Sequence, residues 1–401
     1  MNFREIGSIF IVAGTAIGAG MLALPLSTVG LGFPLTCSLL IFMWGIAAYS
    51  ALLMLSVNLR LGVEKNIFVS VGDVIGPIWQ SISNVSFLIL LYALTAAYLA
   101  GGASLFQMKI QSITGHELPY VINMMLFVLL LGSFAVFGVK WVDKVGRVLF
   151  LMKISFFITL LLAFLPTMST SYLLEMPIQQ ANRTVSLWLT AVPIVFTSFG
   201  FHVCISSLTH YLDGNAKRLR MVLLVGSIIP LIFYVIWLMM SFGVLGGTSM
   251  QSLSGKLVPF IQKMTSSTPY PWVQLLMTLF ADFALITSFL GVTMSLFDFL
   301  CELLHTRLQV ASRLLIWFLT FIPPFVCVLL VPNSFSYVLG FAAIPLVMLI
   351  LVIPAYMLTK MRQDVQTNTV TVYEVKGEKF ALPLMIALAV LIIFTQFYSS
   401  L

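Results

Sequence analysis

Charge is scarce in this chain. Only 8% of its 401 residues are charged, and just 13 are acidic. A soluble domain of this length coats itself with charged side chains, so the shortage excludes one. The four cysteines (Cys37, Cys204, Cys301, Cys327) lie in or at the ends of apolar segments without CxxC or metal spacing. That rules out a disulfide framework or a zinc site and leaves them as small packing residues. The four histidines (His116, His202, His210, His305) have no ligand spacing, and HExxH, GxSxG and GxGD are all missing. An intramembrane enzyme would lack its catalytic groups, and no cofactor is expected. The first apolar run has no small-residue cleavage site ahead of a polar mature chain, so it reads as a retained span.

What the chain does have is apolar length: 60% of residues are hydrophobic and the mean hydropathy is +1.09. Runs of about 20 apolar residues, enough to cross a hydrocarbon core, recur throughout. The solvent for most of these side chains is membrane lipid. The predicted spans are 6–30, 34–57, 78–106, 118–138, 146–166, 185–212, 218–245, 270–303, 313–331, 335–359 and 381–398, an all-α integral membrane protein of eleven transmembrane helices. Segment 246–268 reads as an external loop with a short interfacial helix, and 360–380 as the longest polar linker.

The net charge of +7 does not form a nucleic-acid patch, because the basic residues sit in short clusters between apolar runs. With a cytoplasmic N-terminus, the inside segments hold Arg4, Arg60, Lys65, Lys140, Lys144, Arg147, Lys217, Arg218, Arg220, Arg307, Arg313, Lys360, Arg362, Lys376 and Lys379. Outside segments hold Lys109, Arg183, Lys256 and Lys263, while Lys153 lies within a span. Fifteen against four follows the positive-inside rule, with the C-terminus on the periplasmic side.

Two spans carry helix-weakening sequence at their middles. The first contains Gly14-Thr15-Ala16-Ile17-Gly18-Ala19-Gly20 and then Leu24-Pro25. Three glycines in seven residues each cost a helix about 1 kcal/mol relative to alanine. Unwound backbone at membrane depth is tolerated where it lines a cavity. The N–H groups from Ala16 to Gly20 would then head a half-helix whose positive end suits a carboxylate. Plain helix packing through Gly14 and Gly18, a GxxxG pair, is the alternative. The sixth span has Pro193 followed by Thr197-Ser198-Phe199-Gly200-Phe201-His202. Breaks at positions one and six are what two five-helix inverted repeats produce, with the substrate between them. The repeats would cover 1–166 and 185–359, with 381–398 as an extra helix.

These residues resemble a known family. GTAIGAGMLALP at 14–25, SFGFH at 198–202 and Ser206-Ser207-Leu208-Thr209-His210-Tyr211 look like the hydroxy/aromatic amino acid permeases, and among those the bacterial tyrosine- and tryptophan-specific ones. The resemblance covers the whole chain. It implies the LeuT-type fold of the amino acid–polyamine–organocation superfamily, in the bacterial inner membrane, and proton-coupled import of an aromatic amino acid. Tyrosine is the favoured substrate, then tryptophan. Carried over by position, backbone at Ala16, Ile17, Gly18, Ala19 and Gly20 takes the substrate carboxylate. Carbonyls near Ala13 and Gly14, and near Thr197 and Ser198, take its ammonium. The carrier is expected to work as a monomer.

Ionisable groups inside a membrane are costly and usually face a cavity. Lys153 lies seven residues beyond Gly146, roughly 10 Å into span five at 1.5 Å per residue. It either snorkels to the cytoplasmic surface or reaches the broken first helix and exchanges a proton. His202, at the second break, either steadies loose carbonyls or contacts substrate or a gate. Asp282 pairs within the pathway or bonds a neighbouring helix. Thr287 and Ser288 resemble part of a sodium site in this fold, since hydroxyl oxygens suit a hard cation, which makes sodium coupling the rival; ordinary interhelical bonding is the other reading. An aromatic side chain needs flat apolar walls. Tyr92 and Ala96 on span three, Phe199 and Phe201 on span six and Phe283 on span eight are the candidates. A channel would show polar rings instead of paired breaks.

Overall fold

The computed structural model describes residues 2–137, 139–175, 184–253, 255–308, 312–331, 335–364 and 373–399. Arg183 and positions 365–372 of the polar linker lie outside them. Every regular element among the described residues is helical. The principal helices are α1 (Phe3–Ala16), α2 (Gly20–Thr28), α3 (Gly32–Leu61), α4 (Pro77–Thr114), α5 (Tyr120–Phe137), α6 (Val139–Phe164), α7 (Thr184–Thr197) and α8 (Ile205–Tyr211). They continue with α9 (Ala216–Leu245), α10 (Leu257–Ser266), α11 (Pro271–Leu308), α12 (Arg313–Leu330), α13 (Phe335–Phe341), α14 (Ala343–Val347), α15 (Ile353–Asp364) and α16 (Ala381–Ser399).

Helix boundaries follow local chemistry. α4 starts with Pro77, whose missing N–H costs nothing in a first turn, and stops at Gly115 in the left-handed region (φ 70°). Asn215 caps α9 by accepting from Arg218 N–H at 3.1 Å, and Ser312 caps α12 through Leu315 N–H at 3.2 Å.

Nine helical stretches among the described residues are long and apolar enough to cross a membrane, together with a shorter apolar stretch, Tyr120–Phe134. Two differences from the expected spans have physical causes. The first expected span is cut at 17–19, so α1 is separate and α2 runs on toward α3 as one stretch, Gly20–Leu61. The tenth is not a plain helix: α13 gives way at Ala342, and a π-helical turn over Met348–Val352 separates α14 from α15. Pro354 has no N–H for the Ile350 carbonyl, so the α register slips. Ser50 of α3 donates its hydroxyl to that carbonyl.

α1 packs along α9, and α6 along α11, which in turn lies against α4; α16 leans on α7. Burial sorts these helices. The apolar heart of Phe335–Gln363 is 83% buried, against 28% for those of Val148–Thr167 and Arg313–Leu330. The interrupted tenth helix therefore stands inside, and these two plain apolar ones outside.

Candidate functional site

The first break is real unwinding. α1 ends at Ala16, Ile17 leaves helical geometry (ψ 88°), and α2 restarts at Gly20. Its glycines permit close approach: a Cβ on Gly18 would stand 2.6 Å from Ser288 Oγ, and one on Gly20 would stand 3.1 Å from Ser198 Oγ. Ser288 uses that proximity to accept the Ala19 N–H at 2.9 Å. The second break lies between α7, which ends at Thr197, and a short turn at His202–Cys204 that leads into α8. Thr197 and Ser198 return their hydroxyls to the Pro193 and Ile194 carbonyls, both at 2.8 Å. Pro193 lies one turn before the end of α7, where it removes the N–H that would bond the Leu189 carbonyl.

Beside the breaks lies a cavity of about 1230 Å³. It extends toward the N-terminal end of α1, past Gly7, Phe10 and Ile11, with Gly146 of α6 and Ser295 of α11 on the same side. Beyond the breaks, in the opposite direction, Trp237 and Phe280 meet at 5.4 Å and Trp237 and Phe260 at 6.1 Å, all buried.

Lys153 is the only charged residue lining the cavity among the described residues. It does not snorkel. Its Nζ donates to the Ile17 carbonyl at 2.7 Å, it stands 4.9 Å from the Phe150 ring, and it is 2% exposed. Gly14, Ala16, Ile17, Gly18, Gly20, Thr197, Ser198, Thr287 and Ser288 also line the cavity. Thr287 turns its hydroxyl back to the Phe283 and Ala284 carbonyls at 2.7 and 3.2 Å.

Other expected residues stand elsewhere. Ala13 and Ala19 are buried behind the lining, and the Ala13 carbonyl accepts the Ile17 N–H at 2.9 Å. Tyr92 bonds the Leu319 carbonyl at 2.9 Å, and Ala96 is buried away from the cavity. The lining face of α4 is Phe87, Leu90, Leu91, Leu94 and Tyr98, spaced by three and four residues, whereas Tyr92 and Ala96 point the other way. Phe199 packs edge-on to Tyr234, Phe201 stacks on His202, and Phe283 stacks on Phe156; none of the three lines the cavity. His202 is also outside it, fully buried, with Nε2 3.1 Å from both the Ala47 carbonyl and Ser50 Oγ. A carbonyl only accepts, so Nε2 carries the proton, and the imidazole ties the second break to α3. Asp282 pairs with Lys109 of α4, away from the cavity.

Two functional candidates escaped the sequence reading. Tyr98 stands on the cavity wall. Tyr234 donates its hydroxyl toward the carbonyls of Ala16 and Ser198, each at 2.7 Å. A tyrosine in the middle of an apolar span needs a partner for its hydroxyl, and that was the available signal.

Comparison with known proteins gives this geometry a family. The model of the tryptophan/tyrosine permease family matches residues 2–396. The "Tyrosine-specific transport system 1" of Haemophilus influenzae is 35% identical over 97% of this chain and 95% of its own. "Glutamine transporter 2" of Aliivibrio fischeri is 30% identical over 99% of this chain and 100% of its own. Among solved structures, the manganese transporter of Eremococcus coleocola, in complex with an aromatic bis-isothiourea substituted compound, superposes with a TM-score of 0.66. That match covers 99% of this chain and 86% of the other at 12% identity, a likeness of fold alone. The chain belongs to the tryptophan/tyrosine permease family, a family of membrane transporters and not of enzymes.

Proposed function

We propose that the protein is a proton-coupled secondary active importer of an aromatic amino acid, tyrosine first and tryptophan next, in the bacterial inner membrane. The observation that carries this reading is the Lys153 Nζ held on the Ile17 carbonyl in a cavity wall that is otherwise uncharged among the described residues. The substrate carboxylate meets the positive end of α2 at the N–H groups of Gly18 and Gly20, because the Ala19 N–H goes to Ser288 and those of Met21 and Leu22 go to the Gly18 and Ala19 carbonyls. The Gly14 carbonyl takes the ammonium, together with the second lone pair of the Thr197 carbonyl, whose first accepts the Gly200 N–H at 3.2 Å; the Ala16 and Ser198 carbonyls accept the Tyr234 hydroxyl. Phe87, Leu90, Leu91 and Leu94 offer the ring an apolar wall, with the Tyr98 hydroxyl as a polar handle.

A proton on Lys153 keeps the lysine on Ile17 and braces the unwound segment. When the proton leaves, the neutral amine holds that carbonyl more weakly, and the segment is free to rearrange. Sodium coupling through Thr287 and Ser288 is the second reading. Against it, Ser288 and Lys153 both hold the same three-residue segment, and a lysine ammonium there repels a cation.

The topology that goes with this function has eleven crossings in a LeuT-type 5+5 arrangement. Residues 1–166 and 185–359 are the inverted repeats and 381–398 the additional helix, with the N-terminus cytoplasmic. On that orientation the cavity opens inward. The glutamine-transporting relative keeps a smaller polar substrate as an alternative, as does a serine/threonine permease reading.

Uptake of radiolabelled tyrosine, tryptophan, glutamine and serine into proteoliposomes tests the proposal, with proton and sodium gradients imposed separately. Tyrosine or tryptophan accumulation on a proton gradient alone supports it. Accumulation on sodium alone refutes the lysine mechanism, and flux confined to glutamine or serine refutes the substrate.

A further inference from the structure

Two helix ends meet behind the cavity wall. α1 finishes at Ala16 and α7 at Thr197, and the C-terminal end of a helix carries roughly half a negative charge. Two such ends repel each other unless a donor stands between them. Tyr234, from the middle of α9, supplies it: its hydroxyl is 2.7 Å from the Ala16 carbonyl and 2.7 Å from that of Ser198. A phenol has a single proton, so the two carbonyls share it. The ring is fully buried and braced edge-on by Phe199, with centroids 5.3 Å apart. Ala16 and Ser198 line the cavity, whereas Tyr234 does not. It reaches the site only through the backbone of both breaks.

We propose that Tyr234 is a positioning residue that makes the two interruptions one mechanical unit, so that the first and second breaks loosen and reset together. The role rests on the cavity being the transport site, but the bridge itself is independent of which substrate fills it. Lys153 and Ser288 hold the neighbouring positions Ile17 and Ala19, and neither touches the second break through its hydrogen bonds. Tyr234 is the side chain that donates to both.

The test removes the hydroxyl and keeps the ring. In substrate-free Y234F, hydrogen exchange read by mass spectrometry is expected to speed up by about tenfold at 16–20 and at 198–201 together, the signature of one shared opening. Peptides covering 287–291 are expected to stay unchanged. Faster exchange in only one break, or in neither, overturns the proposal. If Y234F cannot be purified, the wild type decides. Its two break segments should show protection within about threefold of each other, and a gap above about tenfold overturns the bridge.

Transport supplies the readout that a purely structural tyrosine would not move. Proteoliposomes with equal amounts of folded Y234F should show a Vmax about tenfold lower and a KM within about threefold of wild type. A raised KM at unchanged Vmax would make Tyr234 a substrate contact and refute positioning. A wild type that moves no aromatic amino acid refutes the proposed substrate, while the exchange experiment still judges the bridge.

Discussion

Lys153 of α6 donates to the carbonyl of Ile17, 136 residues earlier in the chain, across 2.7 Å. Ile17 stands where α1 has stopped and α2 has not begun, so its carbonyl has no place in a helical ladder. An orphan acceptor and a buried lysine amine thus satisfy each other.

Lys153→Ala removes both the charge and the donor. Under an imposed proton gradient, accumulation by the variant is expected to fall to simple equilibration, while counterflow between equal pools continues. The Ile17 carbonyl loses its partner, a loss of about 1–3 kcal/mol in thermal unfolding. Proton-driven accumulation at the wild-type level would remove Lys153 from the coupling path.

Gly18→Ala places a methyl group 2.6 Å from Ser288 Oγ and forces that hydroxyl off the Ala19 N–H. Destabilisation of about 1–3 kcal/mol and loss of uptake are expected. Ser288→Ala removes the obstructing oxygen, and the Ser288 Cβ lies at 3.8 Å, an ordinary contact. The double variant should therefore cost less than the sum of the two singles, measured as a thermal-stability cycle. Strict additivity would show that the two residues do not share this contact.

Two glycines of the helical frame should respond in opposite ways. Gly102→Ala drives a methyl group into the Phe127 ring and should destabilise by about 1–3 kcal/mol. Gly45, in α3, has open space around the same position, so Gly45→Ala should stabilise by about 0.5–1 kcal/mol through helix propensity. Melting curves in one detergent compare the pair directly. Equal shifts would mean that packing at Gly102 is looser than the geometry requires.

Glu378 holds the start of the last helix. Its carboxylate meets Arg60 of α3 at 3.2 Å and Arg362 of α15 at 3.4 Å, with side-chain exposures of 4% for Glu378 and 7% for Arg60. It also accepts the Val375 N–H at 3.1 Å. Glu378→Ala leaves the Arg60 charge buried and uncompensated, so a loss of about 3–5 kcal/mol in thermal unfolding is expected. Adding Arg60→Met should recover part of it; no recovery would show that the cluster does not depend on this pair.

Much of the frame was legible in the residues themselves. Hydropathy marked the membrane helices, and the glycines at 14, 18 and 20 and Pro193 marked both interruptions, because weak helix-forming backbone is a local property. Lys153 was legible for the same reason: an ammonium in an apolar run must find a cavity or the surface. The tenth helix reads as unbroken although Pro354 is a local signal of a lost bond, and only packing shows that Ser50 of α3 serves the freed Ile350 carbonyl.

The site walls divide along the same line. Tyr92 and Ala96 lie on the face of α4 turned away from the cavity, and Tyr98 on the face that lines it. His202 was placed at the break correctly, yet it turns toward Ala47 and Ser50 and leaves the cavity to its neighbours. The sequence by itself determined which segments are apolar enough to cross a membrane and where two of them cannot stay helical, and it offered Lys153 as a charge that either reaches the first break or the surface, because backbone propensity and hydration depend on residues close in the chain. Only the tertiary structure decided which face of each helix meets the cavity, and that one hydroxyl, on Tyr234, joins Ala16 to Ser198. Helix rotation and partners set by packing depend on every neighbouring helix at once.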